Sequence, residues 1–371
     1  MKKILFITAF TPEENCGGGK NTIGLINDLS KSFEVDLIYW KSGSEGPYTS
    51  PNKNVFIRTI FKSSRLRQLL NILLMPFLYR YFTVKFNWLS LISIRSIIKK
   101  NKYDVVFFDH SQVFLYSKFI DKKTPKFLLS LDVISQRVSR LSNKLIQKFC
   151  ELSESFCLSA QNSYSIVLND KDRSLIKQFF GIDSAVCFVY FDEKVTSCET
   201  SVINDEFVFF GNWIREDNLN GLLWFLDQVL PFIKDPIKIK IIGSVNYDFS
   251  KYNKKNIDIR SLGFVDNPYP IISNCRAMIA PLFTGAGVKV KVIESFACGT
   301  PVIGTEITFE GISKDYSSMM FKATTPKEYA KYFLDTNILN FSVNQRKEFK
   351  NKFLKTYYSE TIPSLVQKTI S

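Results

Sequence analysis

A glycine turn followed by two lysines and a glutamate is the segment of this sequence best equipped for chemistry. It reads Thr284-Gly285-Ala286-Gly287-Val288-Lys289-Val290-Lys291-Val292-Ile293-Glu294, a pattern that predicts a turn leading into a helix. The charges of Lys289 and Lys291, together with the dipole at the start of that helix, can neutralise a diphosphate. Glu294 lies deeper in the helix, where its carboxylate can accept hydrogen bonds from a pair of vicinal hydroxyls.

A second glycine segment, Gly17-Gly18-Gly19, follows the first apolar run and precedes a helical pattern that begins at Ile23. Glycines at such a place let backbone N–H groups approach an anion at a helix N-terminus. The segment is not a P-loop, because Glu14 stands where the first glycine of that motif would be. A flexible strand-to-helix turn without a ligand is the alternative interpretation.

Three polar side chains follow predicted strands in the first half of the chain. Asp109 and His110 come directly after one apolar run, and Asp132 follows the next. Ligands of parallel sheets bind at the carboxyl ends of the strands, so these residues are candidates for catalysis or acceptor binding. A structural histidine and solvated loop carboxylates are the alternatives. Because His110 is the only histidine, a metal site built on several histidines is excluded, and we expect no metal cofactor.

Short apolar runs separated by helical patterns recur along the chain, and this alternation predicts parallel, doubly covered α/β sheets. The series occurs twice, which predicts two α/β domains joined near residues 190–205, one covering residues 1–195 and the other residues 196–355. We expect the last segment, residues 356–371, to form a helix that packs back toward the first domain. The runs are Ile4–Ala9, Val35–Trp40, Val105–Phe108 and Lys126–Leu131, then Phe207–Phe210, Ile237–Ile242, Ala277–Ala280 and Pro301–Gly304.

The positive charge is concentrated in one segment. The 371 residues carry a net charge of +14, and residues 46–103 contain basic residues but no acidic ones. Apolar residues alternate with these basic residues as in helices that lie in a membrane interface, which predicts contact with an anionic membrane surface. A core helix pair with a solvated basic rim is the alternative, and nucleic-acid binding lacks a recognition motif. The candidate membrane residues are Arg65, Arg67, Arg80 and Lys85.

The number and spacing of the cysteines indicate the cellular compartment of the protein. There are seven, an odd number, and no two are spaced as C-x-x-C. Most lie in apolar runs, where cysteine behaves as a small core residue. This usage predicts the reducing cytoplasm, with the basic segment bringing the protein to the inner face of the cell membrane.

The motifs together resemble the retaining glycosyltransferases of the GT-B fold, specifically glycosyltransferase family 4 (group 1). The resemblance is carried by Gly285–Ile303, by Phe210-Gly211-Asn212-Trp213, by Leu262–Asp266 and by the Gly17–Gly19 segment. It covers nearly the whole chain. It implies an α/β fold of two Rossmann-like domains facing each other across a cleft.

The resemblance also implies an activity and a set of residues. It implies transfer of a sugar from a UDP- or GDP-linked donor to a glycan or lipid-linked acceptor, with retention of anomeric configuration and without a metal cofactor, in the synthesis of cell-surface polysaccharide or glycoconjugate. The implied donor-binding residues are Gly18, Gly19, Gly211, Asn212, Arg215, Phe264, Val265, Gly287, Val288, Lys289, Lys291 and Glu294. The implied catalytic residues are Asp109, His110, Asp132 and Lys291.

The sequence departs from the family at two positions. Many relatives carry a first glutamate eight positions before Glu294, where this chain has Ala286, and a histidine where it has Leu131. These departures leave open a nucleotide-sugar-binding scaffold that has lost catalysis. An epimerase of the same architecture is a further alternative, although the histidines expected of it are missing. A nucleic-acid binder rests on net charge alone.

Overall fold

The computed structural model describes residues 1–13, 17–43, 46–140, 142–191, 193–285, 287–335, 337–357 and 361–370. The chain forms two compact units. Unit 1 consists of Met1–Tyr190 with Glu360–Ser371, and unit 2 of Phe191–Ser359. The divisions predicted from the sequence follow residues 195 and 355.

Every apolar run predicted from the sequence overlaps a strand. They are β1 (Lys2–Thr8), β2 (Phe33–Ser42), β3 (Val55–Ser63), β4 (Val105–Asp109), β5 (Lys126–Ser130), β6 (Ser163–Val167), β7 (Ser184–Val186), β8 (Asn204–Phe210), β9 (Ile237–Ile242), β10 (Ile257–Gly263), β11 (Cys275–Ala280), β12 (Val302–Gly304) and β13 (Met320–Lys322). Eight of these strands match the runs predicted above; β3, β6, β7, β10 and β13 are additional.

Helices connect most of these strands. They are α1 (Gly17–Ser32), α2 (Arg65–Leu74), α3 (Arg80–Thr83), α4 (Trp88–Asn101), α5 (Ile134–Ser139), α6 (Lys144–Leu158), α7 (Asp170–Phe180), α8 (Glu193–Thr196), α9 (Glu216–Trp224), α10 (Tyr269–Asn274), α11 (Val290–Ala297), α12 (Pro326–Leu334), α13 (Val343–Tyr357) and α14 (Ile362–Ile370). A π-helical turn, Phe225–Val229, continues α9, and a 3₁₀ helix, Ser111–Phe119, follows β4. Among the described residues, no helix is long and apolar enough to cross a membrane.

Each unit is built on one parallel sheet. Among the described residues, the strand order is β3-β2-β1-β4-β5-β6-β7 in unit 1 and β10-β9-β8-β11-β12-β13 in unit 2. Parallel sheets of this kind are covered on both faces, so their strands carry continuous apolar runs. In β4 all five residues are buried, and Phe107 stacks between Phe6 of β1 and Phe127 of β5.

The strand order determines where a ligand can bind. In a doubly wound sheet, the connections turn in opposite directions from the first strand, and a crevice opens there at the carboxyl ends. In unit 1 this point lies between β1 and β4, whose last residues, Thr8 and Asp109, are paired in register. In unit 2 it lies between β8 and β11. The candidate residues Asp109 and Gly211 therefore stand at these two points.

Candidate functional site

The glycine turn of unit 2 joins β11 to α11. Gly285 has a φ of 116° and Gly287 a φ of 67°, and residues with side chains are strained in this left-handed region. Lys289 folds over the turn: its Nζ donates a hydrogen bond of 2.7 Å to the carbonyl of Gly287 and lies 3.9 Å from Glu310 Oε2. The charge of Lys289 is therefore partly balanced by a carboxylate. Ala286 lies outside the described residues.

Lys291 brings three elements of unit 2 together. Its Nζ donates a hydrogen bond of 2.8 Å to Asn218 Oδ1 on α9 and lies 6.0 Å from the centre of the Trp213 ring. A Cβ on Gly211, just beyond β8, would lie 3.6 Å from the same nitrogen. Burial lowers the pKa of Lys291 to about 8. The ammonium thus stands at the carboxyl end of β8 with an amide as a neutral partner.

Glu294 lies three residues after Lys291, so both side chains emerge from the same side of α11. The carboxylate is nearly buried, with the residue 6% exposed, and its Oε1 accepts a hydrogen bond of 2.8 Å from the hydroxyl of Tyr269. Tyr269 begins α10 and is itself buried. Sequence reasoning missed Tyr269, because nothing in the sequence pairs it with a residue 25 positions away.

The other donor-binding candidates of unit 2 surround this group or lie farther along the sheet edge. Asn212 follows Gly211, and its carbonyl accepts a hydrogen bond of 2.8 Å from Asn218 Nδ2. Arg215 is paired with Asp217 at 2.8 Å. The remaining candidates are Val288, half-buried in the turn, and Phe264 and Val265, which follow the edge strand β10, Phe264 being exposed.

A buried carboxylate organises the carboxyl ends of β1 and β4 in unit 1. Asp109 Oδ2 accepts hydrogen bonds from Thr8 Oγ1 at 2.9 Å and from Thr22 Oγ1 at 2.6 Å, and lies 3.1 Å from His110 Nδ1. Its other oxygen, Oδ1, has no hydrogen-bond partner among the described residues. Burial alone would raise the pKa of Asp109, but the charge of His110 and the donated hydrogen bonds outweigh it and lower that pKa.

His110 is held between Asp109 and the start of α1. Its φ of 77° is unusual for a residue with a side chain, and its backbone N–H donates to the carbonyl of Leu129 at 3.1 Å. A Cβ on Gly18 would lie 4.0 Å from Nε2, so the ring faces the first turn of α1. Burial would lower the pKa of His110, but Asp109 raises it above its usual value, and Asp132 adds to this effect.

The glycine segment of unit 1 differs from the predicted loop. Gly18 and Gly19 belong to the first turn of α1, which already begins at Gly17. A Cβ on Gly19 would come within 2.0 Å of the carbonyl oxygen of Glu13, so glycine is required there by close packing of the preceding chain. Cys16 and the rest of residues 14–16 lie outside the described residues.

The prediction is wrong for Lys85, one of the four candidate membrane residues. Lys85 is only 3% exposed; its Nζ lies 3.3 Å from Ser63 Oγ and 4.9 Å from the centre of the Phe10 ring. A side chain in this position cannot meet a lipid surface. Arg65, Arg67 and Arg80 are exposed, as the prediction requires.

Replacing Asp109 with alanine is expected to destabilise the protein by about 3 kcal/mol, because it leaves two buried hydroxyls and His110 without their shared acceptor. Urea unfolding followed by circular dichroism measures this loss. Asp121→Ala, at an exposed loop carboxylate of the same unit, is the control and should change the free energy of unfolding little. Equal stability of the two variants would contradict the organising role of Asp109.

The resemblance found in the sequence is confirmed for the part of the chain that forms most of unit 2. Residues 204–336 match the family model described as Glycosyl transferases group 1. A relative from Klebsiella pneumoniae, described as an uncharacterised 44.6 kDa protein in the cps region, is 29% identical over 152 residues. That alignment spans 38% of this chain and 38% of the relative's length.

Solved structures, a glycosyltransferase among them, share the fold over the whole chain. HepE of Anabaena, solved in complex with UDP and glucose, matches with a TM-score of 0.66 at 13% identity, over 100% of this chain and 99% of its own. WaaG, a glycosyltransferase involved in lipopolysaccharide biosynthesis, matches with a TM-score of 0.62 at 10% identity, over 99% and 98% of the two chains. The predicted α/β class with two Rossmann-like units of the GT-B type is confirmed.

Proposed function

We propose that this protein transfers a sugar from a UDP- or GDP-linked donor to a glycan or lipid-linked saccharide acceptor. The observation that carries the proposal is the pair of side chains on α11, Lys291 and Glu294, at the carboxyl end of β8 in the domain that matches the family model. The cation suits a diphosphate, and the carboxylate suits the two hydroxyls of a ribose. A nucleoside diphosphate carries both groups.

Charge develops on the departing diphosphate when the bond from the donor phosphate to the sugar breaks. Lys291, whose pKa lies near 8, is mostly protonated at neutral pH, and an anionic ligand favours its charged form further. The dipole at the start of α11 adds partial positive charge beside it. These groups do the work that a metal ion does in other transferases, so the reaction is proposed to be metal-independent.

The sugar is proposed to pass to the acceptor with retention of anomeric configuration. The acceptor hydroxyl attacks the anomeric carbon from the face that the diphosphate leaves, and its proton goes to the leaving phosphate oxygen. Unit 1 is proposed to bind the acceptor. His110, fixed by Asp109 beside Gly18, presents Nε2 for a hydrogen bond to a sugar or acceptor hydroxyl, and Asp132 follows the neighbouring strand. The relative from a cps region supports cell-surface polysaccharide as the product.

The first test is thermal stabilisation of the purified protein by UDP-, GDP-, dTDP- and CMP-sugars and the free nucleotides, with a chelator present. A ligand at a hundred times its dissociation constant adds about 2.7 kcal/mol to the native state, which raises the unfolding midpoint by several degrees. We expect the midpoint to rise with the nucleotides of one base, either uracil or guanine. No shift with any nucleotide in a folded sample would contradict the proposal.

A binding scaffold without catalysis is the second candidate function, because Ala286 stands where many relatives carry a glutamate. A measurement of turnover distinguishes it from a transferase. The bound sugar nucleotide is incubated with the protein alone and with membrane extracts, and release of the nucleoside diphosphate is measured. Release by the wild-type protein but not by Lys291→Met supports transfer. Tight binding with release at the background rate supports the scaffold, and the anomeric configuration of the product, read by NMR, tests retention.

A further inference from the structure

Helix α2 exposes apolar side chains and buries a polar one, which is the reverse of an ordinary surface helix. Ser64 caps its N-terminus, and the residue of α2 that is buried is polar: Asn71, whose Nδ2 donates a hydrogen bond of 3.0 Å to the carbonyl of Val84. Gln68, on the same side, donates to Ser63 Oγ at 2.9 Å. Ile72 is half-buried, but the five leucines of α2 face solvent. They and the following Phe77 are exposed by 68% (Leu66), 58% (Leu69), 50% (Leu70), 72% (Leu73), 64% (Leu74) and 65% (Phe77).

A second exposed apolar stripe runs along α6. Its members recur at helical spacing and are exposed by 82% (Leu145), 37% (Phe149), 61% (Leu152) and 49% (Phe156). α3 packs against both α2 and α6. Tyr79, directly before α3, contacts the second stripe: its N–H donates a hydrogen bond of 2.8 Å to Ser153 Oγ, and its ring lies 6.3 Å from that of Phe149. The two stripes therefore belong to one region of unit 1, which we call the leucine face. Exposed apolar surface of this extent marks an interaction site.

The charge around the leucine face indicates which partner it fits. Residues 46–103 contain eleven basic residues, counted as Lys53, Arg58, Lys62, Arg65, Arg67, Arg80, Lys85, Arg95, Lys99, Lys100 and Lys102, and no acidic residue. Arg65, Arg67 and Arg80, which adjoin the leucines of α2, are exposed. A second copy of the chain would bring the same positive surface against itself across a twofold interface, which like-charge repulsion opposes. An anionic lipid surface offers both the opposite charge and an apolar layer.

We propose that the leucine face docks unit 1 on an anionic membrane surface, with the leucines of α2 inserted among the lipids and Arg65, Arg67 and Arg80 against their headgroups. α2 lies in the plane of the interface: it has ten residues, too few to span a bilayer. Trp88, 51% exposed at the start of α4, is of the residue type enriched at that depth. The proposal concerns binding alone, so it stands or falls independently of the transferase activity.

The test is co-sedimentation of the full chain with vesicles of phosphatidylcholine alone and of phosphatidylcholine with phosphatidylglycerol. We expect at least tenfold tighter binding to the anionic vesicles, weakened by added salt. Leu69→Glu with Leu73→Glu should weaken that binding more than tenfold, and so should Arg65→Gln, Arg67→Gln and Arg80→Gln together. All these side chains are exposed, so the variants keep the wild-type melting curve.

Matched controls come from unit 2. Val202→Glu with Leu334→Glu places the same charges at apolar residues that are 50% and 47% exposed, and Lys347→Gln, Lys352→Gln and Lys355→Gln remove three exposed positive charges from α13. Both controls should bind at least half as well as wild type. Equal binding to the two vesicle types, or loss in the controls equal to that in the leucine variant, overturns the proposal. So does a dimer, detected by sedimentation velocity, that Leu69→Glu with Leu73→Glu dissociates while vesicle binding is absent.

Discussion

Replacing Glu294 with alanine is expected to lower the affinity for the nucleoside diphosphate of the donor by about a hundredfold or more. The carboxylate lies on α11 with one oxygen held by Tyr269, and we propose that it binds both ribose hydroxyls. Two hydrogen bonds to a charged group contribute about 1.5–3 kcal/mol each, so their joint loss costs at least about 3 kcal/mol. Isothermal titration with the nucleotide identified in the thermal panel measures the change.

Two further variants separate ribose binding from damage to the fold. Tyr269→Phe removes the hydroxyl that Glu294 accepts from but leaves the carboxylate, and it should cost less than about tenfold in affinity, the worth of one hydrogen bond. Glu294→Gln keeps the shape of the side chain and loses its charge, so its affinity should lie between those of Tyr269→Phe and Glu294→Ala. A folded Glu294→Ala protein with unchanged affinity would show that the ribose binds elsewhere.

Replacing Lys291 with methionine is expected to reduce turnover by a factor of about 100 to 1,000, the usual cost of removing one group that stabilises developing charge. Methionine retains much of the length of the side chain and removes the ammonium that donates to Asn218. Lys289→Met is the matched control, because Lys289 is partly balanced by Glu310 and should matter less. A larger loss in Lys289→Met than in Lys291→Met would reverse the assignment of the two lysines.

The same lysine should give the proposed donor site a pH dependence whose direction follows from its pKa. Lys291 is charged below its pKa of about 8 and neutral above it, and a diphosphate binds the charged form. The dissociation constant of the nucleotide should therefore rise as pH increases above 8, by up to tenfold per pH unit, and level off above the higher pKa that Lys291 has in the complex. In Lys291→Met this dependence should be absent. The free energy of unfolding of the unliganded protein changes in the opposite direction to the affinity. Because folding lowers the pKa of Lys291 from 10.5 to about 8, the protein should become more stable as pH rises between these two values.

The fold was accessible from the sequence because apolar runs of strand length report burial on both faces, and this local signal does not depend on distant residues. β4 and β8 show it most clearly. The position of the candidate donor-binding residues in unit 2 followed in part from the same signal, since Gly211 and the glycine turn before α11 lie after the ends of strands. The resemblance to the family came from the motifs.

The features that could not be predicted from the sequence depend on tertiary contacts. Lys85 is basic and lies in a segment of exposed charges, yet it is buried against Phe10 and Ser63, and no local pattern marks it. The start of α1 at Gly17 was also missed, because glycines have low helix propensity. The close approach of Glu13 that requires glycine at position 19 is a tertiary contact. Tyr269 belongs to the same class, since its partner Glu294 is distant in sequence.

The return of α14 to unit 1 has a consequence for the order in which the protein folds during synthesis. Domains generally fold as they leave the ribosome, N-terminal first. α14 packs against α1 and buries Ile362 and Val366, but it is translated only after all of unit 2. Unit 1 therefore waits, with one side of α1 uncovered, until unit 2 has been made, so the first unit to begin folding is the last to be completed.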